Sequence, residues 1–216
     1  MYSLLLNFTL AELLETKKVE FQDVSKLFED LLTVLEGEYT EMNTRFDKER
    51  TDLMDQLTKN DILEDVVDED EGERRERERV LVRDHEREVY TRVEKTRLAR
   101  IKSFKEGISL VWIVYMRLTR RSQSIRAARV IFSRARKSAL VTFHVFVASA
   151  LMEFYVNKDP VVAGKIFEVG LKTFPVSSTV EEDGGDGVLY ILKYIDFLMC
   201  LNDDNSTFCR FIDLYI

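Results

Sequence analysis

Few residues in this 216-residue chain have the types and spacing that chemistry needs. The two histidines stand far apart. His85 lies inside a run of Arg and Glu, and His144 just ahead of an apolar stretch, where a satisfied core or boundary ring is expected. No Cys or His falls at a zinc-binding interval, no P-loop occurs, and no dinucleotide fingerprint follows a strand. Cys200 and Cys209 fall on what reads as the last two helices, as core thiols of a reducing compartment. The run Glu181-Glu182-Asp183-Gly184-Gly185-Asp186-Gly187 has the acids of a calcium loop. It lacks the alternating carboxylates and closing Glu that would hold the ion. Carboxylates are abundant, yet nothing in the pattern pairs two of them on a buried face. No catalytic residue, cofactor or metal site is assigned, and the chain reads as a non-enzyme.

One charge feature stands above background. Between Ile108 and Met152 there is no acid, while Arg117, Arg120, Arg121, Arg126, Arg129, Arg134, Arg136 and Lys137 all fall there. In a chain of net charge −7 this makes a local positive field, open to RNA phosphate or an acidic protein segment. The competing use is structural: Arg129 and Arg134 brace a helical hairpin, and the rest offset acids elsewhere. The candidate anion contacts are therefore Arg117, Arg120, Arg121, Arg126, Arg136 and Lys137. Trp112, Tyr115 and Phe132 are needed for packing, so stacking on bases and sequence-specific reading of RNA are not expected.

Those cations ride on a repeat. Trp112, Tyr115 and Leu118 follow one helical stripe, and after the polar break Arg120-Arg121-Ser122 a second helix carries Ala128, Ile131, Phe132 and Ala135. The plan recurs with Phe146, Ser149 and Met152, then Ala163, Ile166, Phe167 and Gly170. Small residues let paired helices approach while aromatics fill the space between them. From the key residue of each first helix to the Phe of its partner, the pairs are Phe8 to Phe28, Trp112 to Phe132, Phe146 to Phe167 and Ile191 to Phe211. Their intervals are 20, 20, 21 and 20 residues. Trp112 to Phe146 is 34, the tetratricopeptide length. The outer units are weaker: Phe8, Ala11 and Leu14 with Val24, Leu27, Phe28 and Leu31, and Ile191, Tyr194 and Phe197 with Phe211.

Composition agrees with an all-α chain, because 2 Pro and 8 Gly are too few for the turns of a β-rich fold. No secretory leader pattern opens the sequence. The apolar stretch Ala139 to Val156 contains Glu153 and keeps the repeat spacing, so a buried hairpin helix is expected there, not a membrane span. The chain is expected to be soluble and intracellular.

In order, residues 1–35 form a first hairpin and 108–216 three more, the last cut short. Residues 36–107 break the rhythm as a charged insertion. Asp61 to Glu73 is acidic and lacks aromatics, which predicts disorder. Arg74 to Arg100 alternates Arg and Glu, with favourable pairs such as Glu73/Arg77 and Glu88/Arg92. Tyr90, Val93, Ile101, Phe104 and Ile108 then add an apolar stripe into which only Arg97 intrudes. Asp159-Pro160 reads as N-cap and first residue of a helix. Leu4, Leu5 and Leu6 near one end, and Phe211, Ile212 and Leu214 near the other, are apolar where a capping repeat would be polar. The chain is therefore expected to be a section of a longer array that self-associates when isolated.

The pattern of Trp112, Tyr115 and Leu118 followed by Ala128-Arg129-Val130-Ile131-Phe132-Ser133-Arg134-Ala135 resembles the HAT (half-a-TPR) repeat of RNA-processing proteins. Residues 111–214 look more narrowly like consecutive repeats of the suppressor-of-forked family, and 4–35 like a preceding one, with 36–107 outside the likeness. The repeat signature is Phe8, Phe28, Trp112, Tyr115, Ala128, Arg129, Phe132, Arg134, Phe146, Ala163, Phe167, Tyr194 and Phe211. The resemblance implies an α–α superhelix and a non-catalytic nuclear scaffold of pre-mRNA 3′-end cleavage and polyadenylation. It also implies other processing subunits as partners and homodimerisation through the repeats; no membrane partner is expected. Gly164 and Gly170 depart from the pattern, standing where the first strong hairpin has Arg129 and Ala135. The alternative is a generic TPR-like peptide-binding adaptor, but Ser149 and Ala150 equip its groove poorly.

Overall fold

The computed structural model describes residues 20–64, 72–175 and 186–202. Phe8, Ala11, Leu14, Cys209, Phe211, the two apolar chain ends and most of the 181–187 loop lie outside them. Six helices are described: α1 (Phe21–Glu64), α2 (Gly72–Ser122), α3 (Ile125–Ala135), α4 (Phe143–Leu151), α5 (Pro160–Thr173) and α6 (Asp186–Asn202). No strand occurs among the described residues, and the fold is all-α. No described helix is long and apolar enough to cross a membrane. Two compact units divide the chain, Met1–Asp30 with Lys105–Ile216, and Leu31–Phe104.

In the first unit, the stripe expected on each hairpin is buried in one register. Ile108, Ser109, Val111, Trp112, Tyr115, Met116, Leu118 and Thr119 are buried, and so is each residue 34 positions later, from Thr142 to Glu153. Hairpin one is antiparallel: Arg134 of α3 lies over the ring of Trp112 of α2, 5.7 Å from its centroid, each equally remote from the link between them. In hairpin two, Phe146 of α4 meets Phe174 edge to face, with centroids 5.4 Å apart. Hairpins stack because first helix packs on first helix. Phe143 meets Tyr190 at 6.3 Å and Phe154 meets Phe197 at 5.2 Å, so α4 and α6 run parallel. Phe167 of α5 fills the space beside them, wholly buried among Tyr190, Tyr194 and Phe197.

Caps mark the helix starts. Ser124 accepts from the Ala127 N–H at α3, and Asp159 from that of Val162 at α5, with Pro160 at the first turn as its sequence predicts. Between α4 and α5 the helix widens into a π turn, Met152–Val156, and Lys158 takes a left-handed φ of 58° in the link. Gly170 departs from the Ala of the first hairpin for a steric reason. A Cβ there would overlap the Tyr190 hydroxyl, which donates 3.0 Å to the Phe167 carbonyl. Burial holds the proton on that hydroxyl.

The second unit is a pair of long helical segments. Tyr39 faces Phe104 and Asp47 faces Arg97, so the segments run antiparallel. Here the expected element boundaries move. The helix expected to end near residue 35 continues as one 44-residue helix to Glu64, and α2 is one 51-residue helix through the boundary at 107. No proline interrupts either stretch, and good helix formers fill both. Of the segment expected to be disordered, residues 61–64 and 72–73 are helical, and 65–71 lie outside the described residues. Arg97 enters the apolar stripe because Glu94 and Asp47 hold its guanidinium, at 2.7 and 3.3 Å.

Two registers differ from those read in the sequence. Leu27 is 51% exposed while Val24 and Phe28 are buried. In α6 it is Tyr190 that is fully buried, and Ile191 lies one position off the core stripe. A helix with apolar residues on several faces carries no strong periodicity to fix its register.

Candidate functional site

The eight cations separate into three groups. Arg134, half exposed on α3, reaches Glu29 of α1 with both terminal nitrogens. Glu29 also accepts from the buried Tyr115 hydroxyl at 2.8 Å. That spends the only proton of Tyr115, so Ser25, 2.7 Å away, must be the donor in their bond. Arg134 holds the Glu29 carboxyl below its ordinary pKa despite partial burial. Burial, more than its acceptor, raises the Tyr115 phenol. Phe28 stacks on Tyr115 at 4.9 Å, which closes the apolar side of the same contact.

Arg129 makes the second lock. Its Nε and Nη2 donate to the two oxygens of Glu153, at 2.7 and 2.8 Å. Glu153 is 0% exposed, the most buried carboxylate described, and Asn157 adds a 2.9 Å donor. Its own backbone carbonyl accepts from the Asp159 N–H at 2.9 Å. A buried carboxylate is tolerable only when paired and hydrogen-bonded in this way. Donating to Glu153 raises the Arg129 pKa. Both arginines thus brace the array as the structural reading anticipated, but each ties its hairpin to a neighbour, not to itself.

The third group makes no ion pair among the described residues. Arg117, Arg120 and Arg121 share one side of the end of α2, and Arg126 opens α3 across the short link Gln123-Ser124. Arg136 and Lys137 follow the far end of α3. None of these six has an anionic partner among the described residues. Arg117 is half-buried, and burial first, then the like charge of Arg121, lowers its pKa. The candidate anion contacts are therefore two clusters at opposite ends of one helix, not one patch.

The remaining signature residues Ala128, Phe132, Phe146 and Ala163 are buried, and Tyr194 is half-buried. Ser149 and Ala150 are also buried, so they line core and no peptide groove. His144 is exposed, its Nδ1 3.1 Å from the Thr142 hydroxyl. Cys200 is buried, its Sγ 3.9 Å from the Tyr155 hydroxyl. Among the described residues no group of three or more His, Cys, Asp or Glu could hold a metal ion. Sequence reasoning missed Ser25, Glu29, Asn157 and Glu153. Glu153 did carry a signal: it is the one acid in an apolar stretch, where a carboxylate requires a cation.

Comparison with known proteins places this geometry. A family model described as Suppressor of forked protein matches residues 1–213. The match runs through 36–107, which the repeat pattern alone had set aside. The mRNA 3'-end-processing protein RNA14 of Cryptococcus neoformans var. neoformans serotype D is 36% identical over 212 residues, covering 94% of this chain and 19% of that protein. The protein suppressor of forked of Drosophila melanogaster is 43% identical over 99 residues, 46% of this chain and 12% of that protein. Cleavage stimulation factor subunit 77 of Arabidopsis thaliana is 47% identical over 98 residues, 45% of this chain and 12% of its own length. The chain thus spans about a fifth or less of each of these relatives.

Proposed function

The chain belongs to the suppressor-of-forked family, and on that premise we propose that it is a scaffold segment of nuclear pre-mRNA 3′-end cleavage and polyadenylation. It acts through surfaces and carries out no reaction. The observation that carries this is the likeness to an mRNA 3'-end-processing protein along 94% of the chain. The hairpins supply what such a role needs: a core locked by Arg129–Glu153 and Arg134–Glu29, leaving the outer helix faces free for other processing subunits. Homodimerisation through the repeats of the intact protein and non-specific contact with RNA phosphate belong to the same reading.

Affinity capture of the tagged full-length protein from nuclear extract tests it. Other 3′-end-processing subunits should be recovered, and a core-breaking change such as Phe167→Asp should release them. Recovery of an unrelated set of proteins, equal for both forms, would overturn the scaffold role. Light scattering on the full-length protein should give a dimer mass, and a fluorescent fusion should concentrate in nuclei.

A further inference from the structure

Resting on the RNA contact proposed above, we infer that the phosphate backbone of single-stranded RNA docks at one end of the first strong hairpin, on Arg117, Arg120, Arg121 and Arg126. The other cations of the basic run are excluded by position or by partner. Arg129 and Arg134 are spent on Glu153 and Glu29. Arg136 and Lys137 stand one α3 length away, roughly 16 Å for its 11 residues. What remains converges across the two-residue link between α2 and α3.

Three features favour a phosphate backbone. All four cations are arginines, whose planar forks match phosphate oxygens with paired hydrogen bonds. The link offers Gln123 and the exposed hydroxyl of Ser124, beside the exposed Ser122 that ends α2. Ser124 accepts its cap bond from Ala127 through a lone pair, so its proton stays available to an anion. These are the side chains that contact phosphates without reading bases. Arg117 is half-buried, has no carboxylate partner among the described residues and suffers the like charge of Arg121, a repulsion that an arriving anion relieves. An acidic peptide would carry charge too, but protein interfaces draw most of their energy from buried apolar and aromatic anchors. No exposed aromatic residue is described at this end. The contact is therefore blind to sequence and sensitive to salt.

Fluorescence anisotropy on the full 216-residue chain tests this, with labelled oligouridylate, a mixed-sequence RNA of equal length and an oligoglutamate peptide. Arg120→Gln/Arg121→Gln/Arg126→Gln should weaken both RNAs by about tenfold or more and flatten the salt dependence by roughly two in log–log slope. Arg136→Gln/Lys137→Gln should change affinity less than about twofold. Circular dichroism melts of both variants, matching the parent, establish that folding is unchanged; if the triple variant does not fold, Arg121→Gln alone should lower the slope. Equal losses from both clusters would overturn the location while leaving the RNA contact standing. Binding of oligoglutamate but neither RNA would overturn the contact itself, in favour of an acidic protein partner.

Discussion

In the hairpins, Phe167 is enclosed by three aromatic rings and Glu153 is sealed by an arginine, an asparagine and the start of the next helix. In residues 31–104, only Leu32 and Phe46 are buried among the described side chains. The visible polar bonds there are mostly local. Thr40, Thr44 and Thr51 each donate to the carbonyl four residues back, at 2.8 Å. Glu88 pairs with Arg92 at 3.0 Å in open solvent. Both regions are helical, but the first is helical because tertiary burial makes it so, and the second because each residue suits a helix by itself. That contrast makes quantitative demands.

The largest effect belongs to Phe167→Ala. Removing a wholly buried ring should cost about 3–5 kcal/mol in urea unfolding. Phe46→Ala, in the long pair with few apolar neighbours, should cost less than half as much. Equal costs would show that the pair has a core comparable to that of the hairpins. Next is Arg129→Ala, which leaves Glu153 buried with Asn157 as its remaining side-chain donor; about 3 kcal/mol is expected. A loss below about 1 kcal/mol would mean that the carboxylate finds water or another partner and that the lock is dispensable.

A smaller effect is set by pH. Arg134 holds the folded Glu29 carboxyl below its ordinary value near 4.5. Its contribution is therefore complete above the unfolded-state pKa and lost as pH falls through the folded one. The parent should lose more stability than Glu29→Gln between pH 6 and about 3, by a modest margin because the pair is partly solvated. Parallel stability curves would deny the bridge any role. Smallest is Arg92→Ala in the long pair, which should shift unfolding by less than about 0.5 kcal/mol. A larger shift would mean that the exposed charges of that region form a cooperative network.

The legible part of this fold was the part governed by spacing. The 34-residue offset and the aromatic intervals name most of the hairpin core, and Asp159-Pro160 marks a helix start unaided. Continuity of the two long helices was hidden. The sequence there holds no stop signal, and a rhythm of aromatic residues says nothing about where charged residues keep the same conformation. The π turn was hidden as well, since Met152–Val156 has no composition that separates it from an α-helix. Arginines and their positive field could be counted, but not sorted. Whether a guanidinium is free depends on a carboxylate brought close by folding, as Glu29 is to Arg134 across more than a hundred residues.

Thr119 occupies, one repeat earlier, the position of Glu153, and its buried hydroxyl finds no partner among the described residues. In the helix preceding it, Ser25 stands where the next unit has Arg129, counting from Phe28 and Phe132. These two seams thus carry different passwords: Ser25 answers Tyr115, and Arg129 answers Glu153. A hairpin moved one place along the array would present a serine to a sealed carboxylate, or an arginine to a threonine. Duplication of a single unit, the simplest way to lengthen a solenoid, would therefore be penalised at its new seam until a second change repaired the match. At the seam of Glu153 the order of the repeats is thus fixed by a buried charge.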